Sequence, residues 1–374
     1  MFKPEINEIK KRFTQSKCAI DRICGCYVDA EKNKKMVFKE AFLSLPEEDI
    51  FKYFEIFRKA LSGTLGKNLV NLEFPLAAEE EGGTQNTLLK LRNSKLTDDF
   101  LLESYYDKII ESYDYVGNYL ILVIHDNYDI PMKTTDGIEA EDGSDEVYEY
   151  IMTCICPVNL SKPGLSYFQE SNSFANRIRD WVVDMPEFGF VFPAFNDRST
   201  DIHSTLFYTK DATDFHDNLT DSLFGGALPM TAQVQKETFQ TIIEETLGDD
   251  CEIEVVKNIH ESILEMVEEH ADAPEPLSLG KNEMKRLFES AGVKEEKLSD
   301  FDEYYNAAAG ENMSLQVSNV CNNKSFEVKT PDISIKVNPE RLDLISTKEV
   351  DGRNCIVIEI SDSVEVNGIP VRQS

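Results

Sequence analysis

Four of the eight cysteines form two Cys-x-Cys motifs, Cys24 with Cys26 and Cys154 with Cys156. On an extended strand the two thiols of one motif lie on the same face, about 7 Å apart. If two such strands were neighbours, the four thiolates could bind one zinc ion. Both motifs stand in strongly apolar segments, where a free cysteine packs as a small hydrophobic side chain. The sequence therefore favours two buried strands, with a metal site as the alternative, and it predicts no cofactor.

A second group of residues combines carboxylates, histidines and arginines near expected strand ends. The candidates for catalysis are Asp197, Asp201, His203 and His125, and those for anion binding are Arg177, Arg179 and Arg198. Carboxylates with histidine could hold a divalent metal ion, and arginines could bind a phosphate or a carboxylate. The alternative is that Asp and Asn side chains cap turns while the arginines pair with carboxylates. No H-E-x-x-H, P-loop, G-x-G-x-x-G or G-x-S-x-G motif indicates a particular reaction.

Charge is distributed unevenly along the chain. The net charge is −31, yet residues 1–70 contain 14 Lys and Arg against 10 Asp and Glu, whereas residues 240–305 contain 19 acidic and 6 basic residues. Such asymmetry could provide a basic face for a polyanion or drive self-association, although an acidic excess also simply favours solubility. Short basic patches occur at residues 10–12 and at Lys32, Lys34 and Lys35. The second patch supplies the candidates for contact with a polyanion, although ordinary solvated turns have the same composition.

The hydrophobic pattern predicts the elements that must position these residues. Alternation over 20–28, with a return over 36–42, predicts a hairpin. Apolar residues at helical spacing predict helices over 50–61, 84–94 and 97–113. The run NYLILVIHDNYDIP predicts a buried strand that ends near His125. The acidic segment 138–146 is expected to be a loop, and residues 251–256 a short strand.

Together these elements predict an α+β protein with a hairpin, helices and a mostly antiparallel sheet over 1–225. An acidic helical region over 226–310 and a small β-rich region over 311–374 follow. No apolar run is long enough to span a membrane and the first residues are polar, so a cytoplasmic protein with reduced thiols is expected. The sequence leaves open a nucleic-acid partner, a protein partner and a homo-oligomer, and it predicts no membrane association.

Several segments carry a resemblance to a known family: RICGCYVDAEKNKK, FKEAFLSLPEEDIFKYFEIFRKALSGTLGKNL, CPVNLSKPGLSYF and FGFVFPAFNDRSTDIHS. They closely resemble the uncharacterised bacterial family of domain of unknown function 4317. That resemblance implies a Gram-positive, cytoplasmic setting and carries no catalytic residue with it. The element order is also similar to that of bacterial nucleoid-associated proteins, at the level of fold only.

These observations predict a non-enzymatic interaction protein, of the nucleoid-associated type, that contacts a polyanion through its N-terminal region. One alternative is a metal-dependent hydrolase that acts on an anionic substrate through the Asp197–His203 stretch. Another is an oligomeric scaffold.

Overall fold

The computed structural model describes residues 1–133, 139–311, 313–360 and 364–371, with the backbone alone for 132–133 and 139–145. It contains two compact units, unit 1 (Met1–Thr231) and unit 2 (Ala232–Ser374). The division into 1–225, 226–310 and 311–374 is finer than this and stays a prediction.

Unit 1 is built around one large sheet. Its helices are α1 (Lys3–Lys10), α2 (Glu47–Ala60), α3 (Leu76–Glu79), α4 (Thr84–Asn93), α5 (Asp99–Ser112) and α6 (Asp217–Phe224). Its strands are β1 (Arg22–Val28), β2 (Lys34–Ala41), β3 (Leu69–Glu73), β4 (Asn118–Lys133), β5 (Glu139–Leu160), β6 (Leu165–Phe168), β7 (Ser173–Asn176), β8 (Trp181–Val183), β9 (Phe188–Phe192), β10 (Ala194–Asn196), β11 (Ser199–Asp201) and β12 (Ser204–Thr209). Eight strands pair antiparallel in the order β2-β1-β4-β5-β9-β12-β3, with β8 paired to the end of β5.

The predicted N-terminal hairpin is confirmed as β1 and β2. Its register places Gly25 opposite Phe38, and a Cβ atom at Gly25 would lie 2.2 Å from the Phe38 ring. Glycine at this position therefore lets the aromatic ring lie across the strand.

Helices cover both faces of the sheet. Alternate residues of each strand point to opposite faces, so that Ile121 of β4 joins a core with α4, α5 and α6, while its neighbour Leu122 joins a second core with α1 and α2. The strands are apolar on both sides because both sides are buried, and this explains the continuous apolar runs in the sequence.

Two expectations about β4 and β5 are wrong. β4 does not end near His125 but continues to Lys133, and residues 139–146 of the expected acidic loop belong to β5. The two strands remain paired as far as Lys133 and Glu139. Strand extension depends on backbone hydrogen bonds to the partner strand, which the polarity of the side chains does not reveal. Residue 138 lies outside the described residues.

Unit 2 consists of helices followed by β-hairpins. The helices are α7 (Ala232–Leu247), α8 (Ile253–Glu269), α9 (Lys281–Ser290), α10 (Phe301–Ala308) and α11 (Val317–Val320). The strands pair in sequence order as β13 (Ser278–Leu279) with β14 (Leu315–Gln316), β15 (Phe326–Lys329) with β16 (Ser334–Val337), β17 (Ile345–Val350) with β18 (Arg353–Ile358), and β19 (Val364–Val366) with β20 (Ile369–Val371). The short strand expected over 251–256 is wrong, because Ile259 and Ile263 continue its apolar residues at helical spacing and are buried within α8.

The predicted fold class is confirmed: an α+β protein with mostly antiparallel sheets, a helical middle and a small C-terminal β region. Within the described ranges, none of the helices has the length and apolar character needed to cross a membrane.

Candidate functional site

The four cysteines of the Cys-x-Cys motifs lie on opposite faces of the sheet. Cys24 and Cys26 face the core beneath α5, whereas Cys154 and Cys156 face the core beneath α2, and β4 separates their strands. All four side chains are buried. Burial raises the pKa of the Cys24 and Cys26 thiols to about 11, which disfavours the thiolate that zinc requires. The four-thiolate metal site is therefore corrected to two pairs of core residues, and the described part of the chain holds no cluster of three metal-binding side chains.

Three of the four predicted catalytic residues, Asp197, Asp201 and His203, lie in or next to the hairpin of β10 and β11. Asp197 and Arg198 form the two-residue turn between β10 and β11, and both have positive φ angles, of 51° and 58°. Asp201 accepts hydrogen bonds from Asn196 Nδ2 at 2.6 Å and from the backbone N–H of His203 at 3.0 Å. Asp197 and Asp201 therefore stabilise turns, as expected if these residues cap turns rather than catalyse a reaction.

The two histidines of the same prediction lie apart from each other. His203 follows β11 and its Nδ1 lies 2.6 Å from Glu79 Oε1. His125 is in β4, and β5 and β9 lie between β4 and β12 in the sheet. The hydrolase constellation is therefore only partly assembled, because His203 lies next to Asp201 whereas His125 lies in another strand of the sheet.

The predicted anion-binding arginines and the predicted polyanion-contacting lysines lie in different parts of the fold and have separate partners. Arg177 and Arg179 lie in an exposed segment between β7 and β8, where Arg179 Nε donates to the Ser161 carbonyl at 2.7 Å. The predicted polyanion patch is paired with carboxylates of its own chain, as Lys35 with Asp29 at 2.7 Å, Lys34 with Asp107 at 2.7 Å and with Glu103, and Lys32 with Asp114 at 4.0 Å. These pairs leave the patch with little net positive charge.

A cleft between the end of α1 and β4 brings other charged residues together. Its volume is about 490 Å³, and its lining consists of Pro4, Glu8, Lys11, Arg12, Lys17, Tyr128 and Pro131. Lys11 and Arg12 directly follow the last turn of α1, where the negative end of the helix dipole favours cations. We call this feature the cationic cleft.

Arg12 is the fixed cation of the cationic cleft. Its side chain is 11% exposed, its Nη2 donates to the Asn127 carbonyl at 2.6 Å, and the same atom lies 3.6 Å from Asp126 Oδ1. The guanidinium carbon lies 4.3 Å from the centroid of the Tyr128 ring, which is the geometry of a cation–π contact. Three partners on β4 thus hold Arg12 in place.

Lys11 and Lys17 are the exposed cations of the cleft. Neither side chain forms an ion pair or hydrogen bond with any residue that the structure describes. The one carboxylate of the lining, Glu8, accepts a hydrogen bond from Tyr128 Oη at 2.7 Å and pairs with Arg198 at 3.2 Å. Because Glu8 pairs with Arg198 and Arg12 pairs with Asp126, the excess positive charge of the described lining comes from Lys11 and Lys17.

A buried polar network lies beside the cationic cleft. Asp126 is fully buried and accepts from Tyr150 Oη at 2.6 Å and from the backbone N–H of Asn127 at 2.9 Å. Burial raises the pKa of Asp126, and the nearby Arg12 acts in the opposite direction. Next to it, His125 Nδ1 lies 3.2 Å from Asp21 Oδ2. The network therefore joins α1, β4 and β5 through charged and polar contacts.

Comparison with known proteins identifies the family. A family model described as domain of unknown function (DUF4317) matches residues 1–369 of the 374. The chain belongs to the DUF4317 family. No curated protein and no solved structure matches the chain, so the similarity to nucleoid-associated proteins is unconfirmed. The description of the DUF4317 family assigns no activity, and function must be argued from the cationic cleft itself.

Sequence reasoning found only part of this DUF4317 site. His125 is among the predicted residues, but its partner Asp21 is not, and neither are Lys17 and Tyr128. Two signals point to the site: the basic patch at residues 10–12, and the pair His125 and Asp126 within an apolar strand. A carboxylate such as Asp126 inside such a strand needs a cationic or hydrogen-bonding partner, and Arg12 meets that requirement.

His125 should make the stability of the DUF4317 fold sensitive to acid. Burial lowers its pKa below the ordinary 6.5, although Asp21 acts in the opposite direction. The unfolded chain therefore binds more protons at His125, so that this contribution to stability is complete above pH 6.5 and is lost as the pH falls through the lowered pKa. Comparing wild type with His125→Gln in urea at pH 7.5 and 5.5, we expect the variant to lose less stability on acidification.

His203→Gln is the matched control. Pairing with Glu79 raises the pKa of His203, so its stabilising contribution is complete below pH 6.5 and is lost as the pH rises through the raised pKa. Its removal should therefore increase the loss of stability on acidification. An unchanged pH response in His125→Gln would contradict the assignment of His125 as a neutral buried imidazole.

Proposed function

We propose that this DUF4317 protein is a cytoplasmic, non-enzymatic binding protein whose cationic cleft holds a small phosphate-bearing ligand. The observation that carries the proposal is the presence of Lys11 and Lys17, which have no partner among the described residues, beside Arg12 in one cleft of a chain with a net charge of −31. In such a strongly acidic protein, a cleft with excess positive charge is a local exception. Its field would concentrate anions at that point.

Size and chemistry both suit a ligand of this class. A volume of about 490 Å³ falls within the range of small-molecule sites. Two lysines supply ammonium groups that can turn toward a phosphate, whereas Arg12 is held by Asp126 and Asn127 and contributes fixed charge. The two prolines and the ring of Tyr128 supply apolar walls.

Binding is better supported than catalysis. Glu8, the one carboxylate of the described lining, is held by Tyr128 and Arg198. Of the residues of the hydrolase alternative, His125 stands apart from the other three, and Asp201 and His203 are held by Asn196 and Glu79 in turn and ion-pair contacts. A binding role requires only the cations and the shape of the cleft.

A nucleic-acid duplex is the rival ligand. Long-range repulsion from a net charge of −31 opposes its approach, and Lys32, Lys34 and Lys35 are already paired with carboxylates. A small anion that enters the cationic cleft avoids most of this repulsion. The nucleoid-associated role therefore stays a prediction that the same experiment can test.

The test is calorimetric titration of the full chain with pyrophosphate, with inorganic phosphate and with duplex DNA, at low and near-physiological salt. We expect pyrophosphate to bind, and the double variant Lys11→Gln/Lys17→Gln to weaken it about tenfold or more, since each charge-assisted hydrogen bond contributes about 1.5 kcal/mol or more.

The control is Lys34→Gln/Lys35→Gln, which removes the same two charges at the ion-paired patch and should leave pyrophosphate affinity unchanged. Equal weakening by both double variants would indicate a general charge effect and contradict the cleft. DNA binding with a steep salt dependence, lost only in the control variant, would support the polyanion patch instead.

A further inference from the structure

A projecting segment of unit 1 exposes an unusual amount of apolar surface. We call residues 160–185 the arm; it contains β6, β7 and β8. The exposed fractions of its largest apolar side chains are 77% for Leu165, 52% for Tyr167, 73% for Phe174, 72% for Ile178 and 56% for Trp181. Isolated exposed apolar residues are normal on a protein surface, but five within 17 positions of one chain segment are not.

The hairpin of β6 and β7 turns its apolar face to solvent. Its register pairs Tyr167 with Phe174, and their ring centroids are 5.5 Å apart. Leu165 lies two residues from Tyr167 and so on the same face. On the other face, Ser166 and Phe168 are half-buried. A lone two-stranded hairpin is at best marginally stable in water, so a cover over its apolar face would stabilise it.

The area of this surface approaches that of a protein interface. Taking roughly 200 Å² for each large side chain, Leu165, Tyr167 and Phe174 on the shared face of the hairpin expose on the order of 400 Å², and Ile178 and Trp181 of the same arm are exposed as well. Standard interfaces bury about 800 Å² per partner, whereas monomers rarely expose connected patches above a few hundred Å². The exposed residues of the arm include Tyr167, Phe174 and Trp181, and aromatic residues are enriched at interfaces.

The net charge of the arm indicates which partner would cover its apolar surface. The arm contains Lys162, Arg177 and Arg179 against Glu170, Asp180 and Asp184, which gives a net charge of zero in a chain of −31. Two copies of this chain repel one another over most of their surfaces, and the neutral arm is where they can meet with least repulsion. An anionic membrane or a nucleic acid would meet the same repulsion, and the arm has no net positive charge to overcome it.

We infer that the arm is a homodimerisation surface. The arm of one copy of this chain binds the same face of the arm of a second copy. Contact of identical patches about a two-fold axis is the commonest form of self-association. Tyr167, Phe174 and Trp181 would become buried together. This surface is independent of the cationic cleft, so either proposal can fail without the other.

The one tryptophan of the sequence, Trp181, provides a label-free readout. We expect sedimentation of the wild-type chain to show a monomer–dimer equilibrium, with Trp181 emission shifting to shorter wavelength and becoming less accessible to acrylamide as concentration rises. Phe174→Asp should raise the dimer dissociation constant about tenfold or more, since central aromatic residues often dominate an interface.

Phe100→Asp is the matched control, because Phe100 is 81% exposed in α5, outside the arm. It should dimerise like the wild type. A wild-type chain that remains monomeric with constant Trp181 emission at all concentrations would overturn the inference. So would dimerisation that Phe174→Asp leaves intact, or a monomer that instead binds anionic vesicles through the arm.

Discussion

Replacing Arg12 with methionine is expected to lower the free energy of unfolding of unit 1 by about 3–5 kcal/mol at neutral pH. The reason is Asp126, which is fully buried and has Arg12 as its cationic partner at 3.6 Å. Without Arg12 the carboxylate remains buried with only Tyr150 and a backbone N–H as donors. Methionine fills much of the volume of the arginine stem, so the lost charge should dominate the effect.

The pH dependence of this effect has a definite sign. Burial already raises the pKa of Asp126, and loss of Arg12 should raise it further. Between the ordinary pKa of an aspartate and the raised pKa of Asp126, the folded state binds more protons than the unfolded state. Stability therefore falls as the pH rises through this range. Arg12→Met should therefore be less destabilising at pH 5 than at pH 7.5.

Urea denaturation followed by far-ultraviolet circular dichroism measures these differences. The double variant Arg12→Met/Asp126→Asn should recover much of the lost stability, because a neutral amide keeps hydrogen-bonding capacity without the charge. Lys11→Met is the control and should change stability by about 0.5 kcal/mol or less. If Arg12→Met and the double variant are equally unstable, the ion pair is not the source of the effect.

Replacing Phe13 with alanine is expected to cost about 3–5 kcal/mol and to abolish anion binding at the same time. Phe13 is fully buried, and its ring centroid lies 5.5 Å from that of Phe57 and 6.4 Å from that of Phe54, both in α2. It directly follows Arg12, and its carbonyl accepts a hydrogen bond from Arg58. The segment that carries Lys11, Arg12 and Lys17 is thus anchored to α2 through this ring and through the hydrogen bond from Arg58.

Two further variants separate stability from binding. Phe13→Leu keeps most of the buried volume and should retain pyrophosphate affinity with a cost of about 1 kcal/mol. Leu43→Ala removes a side chain that is 62% exposed and should change neither property appreciably. Undiminished affinity in a folded Phe13→Ala protein would show that the cationic cleft does not depend on this anchor.

The sequence predicts the fold better than it predicts the site. Strand and helix periodicity are local signals, so the hairpin of Arg22–Val28 and Lys34–Ala41 and the helix Asp99–Ser112 could be expected within a few residues. Which strands become neighbours is not local. The separation of Cys24 from Cys154 follows from the sheet order and the strand register, and that of His125 from His203 follows from the sheet order.

Ion pairs between distant residues are a second feature that the sequence does not reveal, and they change the charge of the folded surface. Lys34 and Lys35 form a compact basic patch when only their neighbours along the chain are considered. In the fold, Asp107 comes from a helix more than 70 residues away and compensates Lys34. Lys11 and Lys17 form a less dense pattern, yet they remain without such a partner among the residues described. Charge density in the sequence is therefore a poor guide to charge at the folded surface.

The two Cys-x-Cys motifs give the sheet a natural pair of reporters. Because Cys24 and Cys26 lie beneath one helical layer and Cys154 and Cys156 beneath the other, an alkylating reagent can reach each pair only when the helices on its own side move away. The order in which the two motifs become modified during slow unfolding would reveal which layer detaches first. No engineered label is needed to follow the two halves of this core separately.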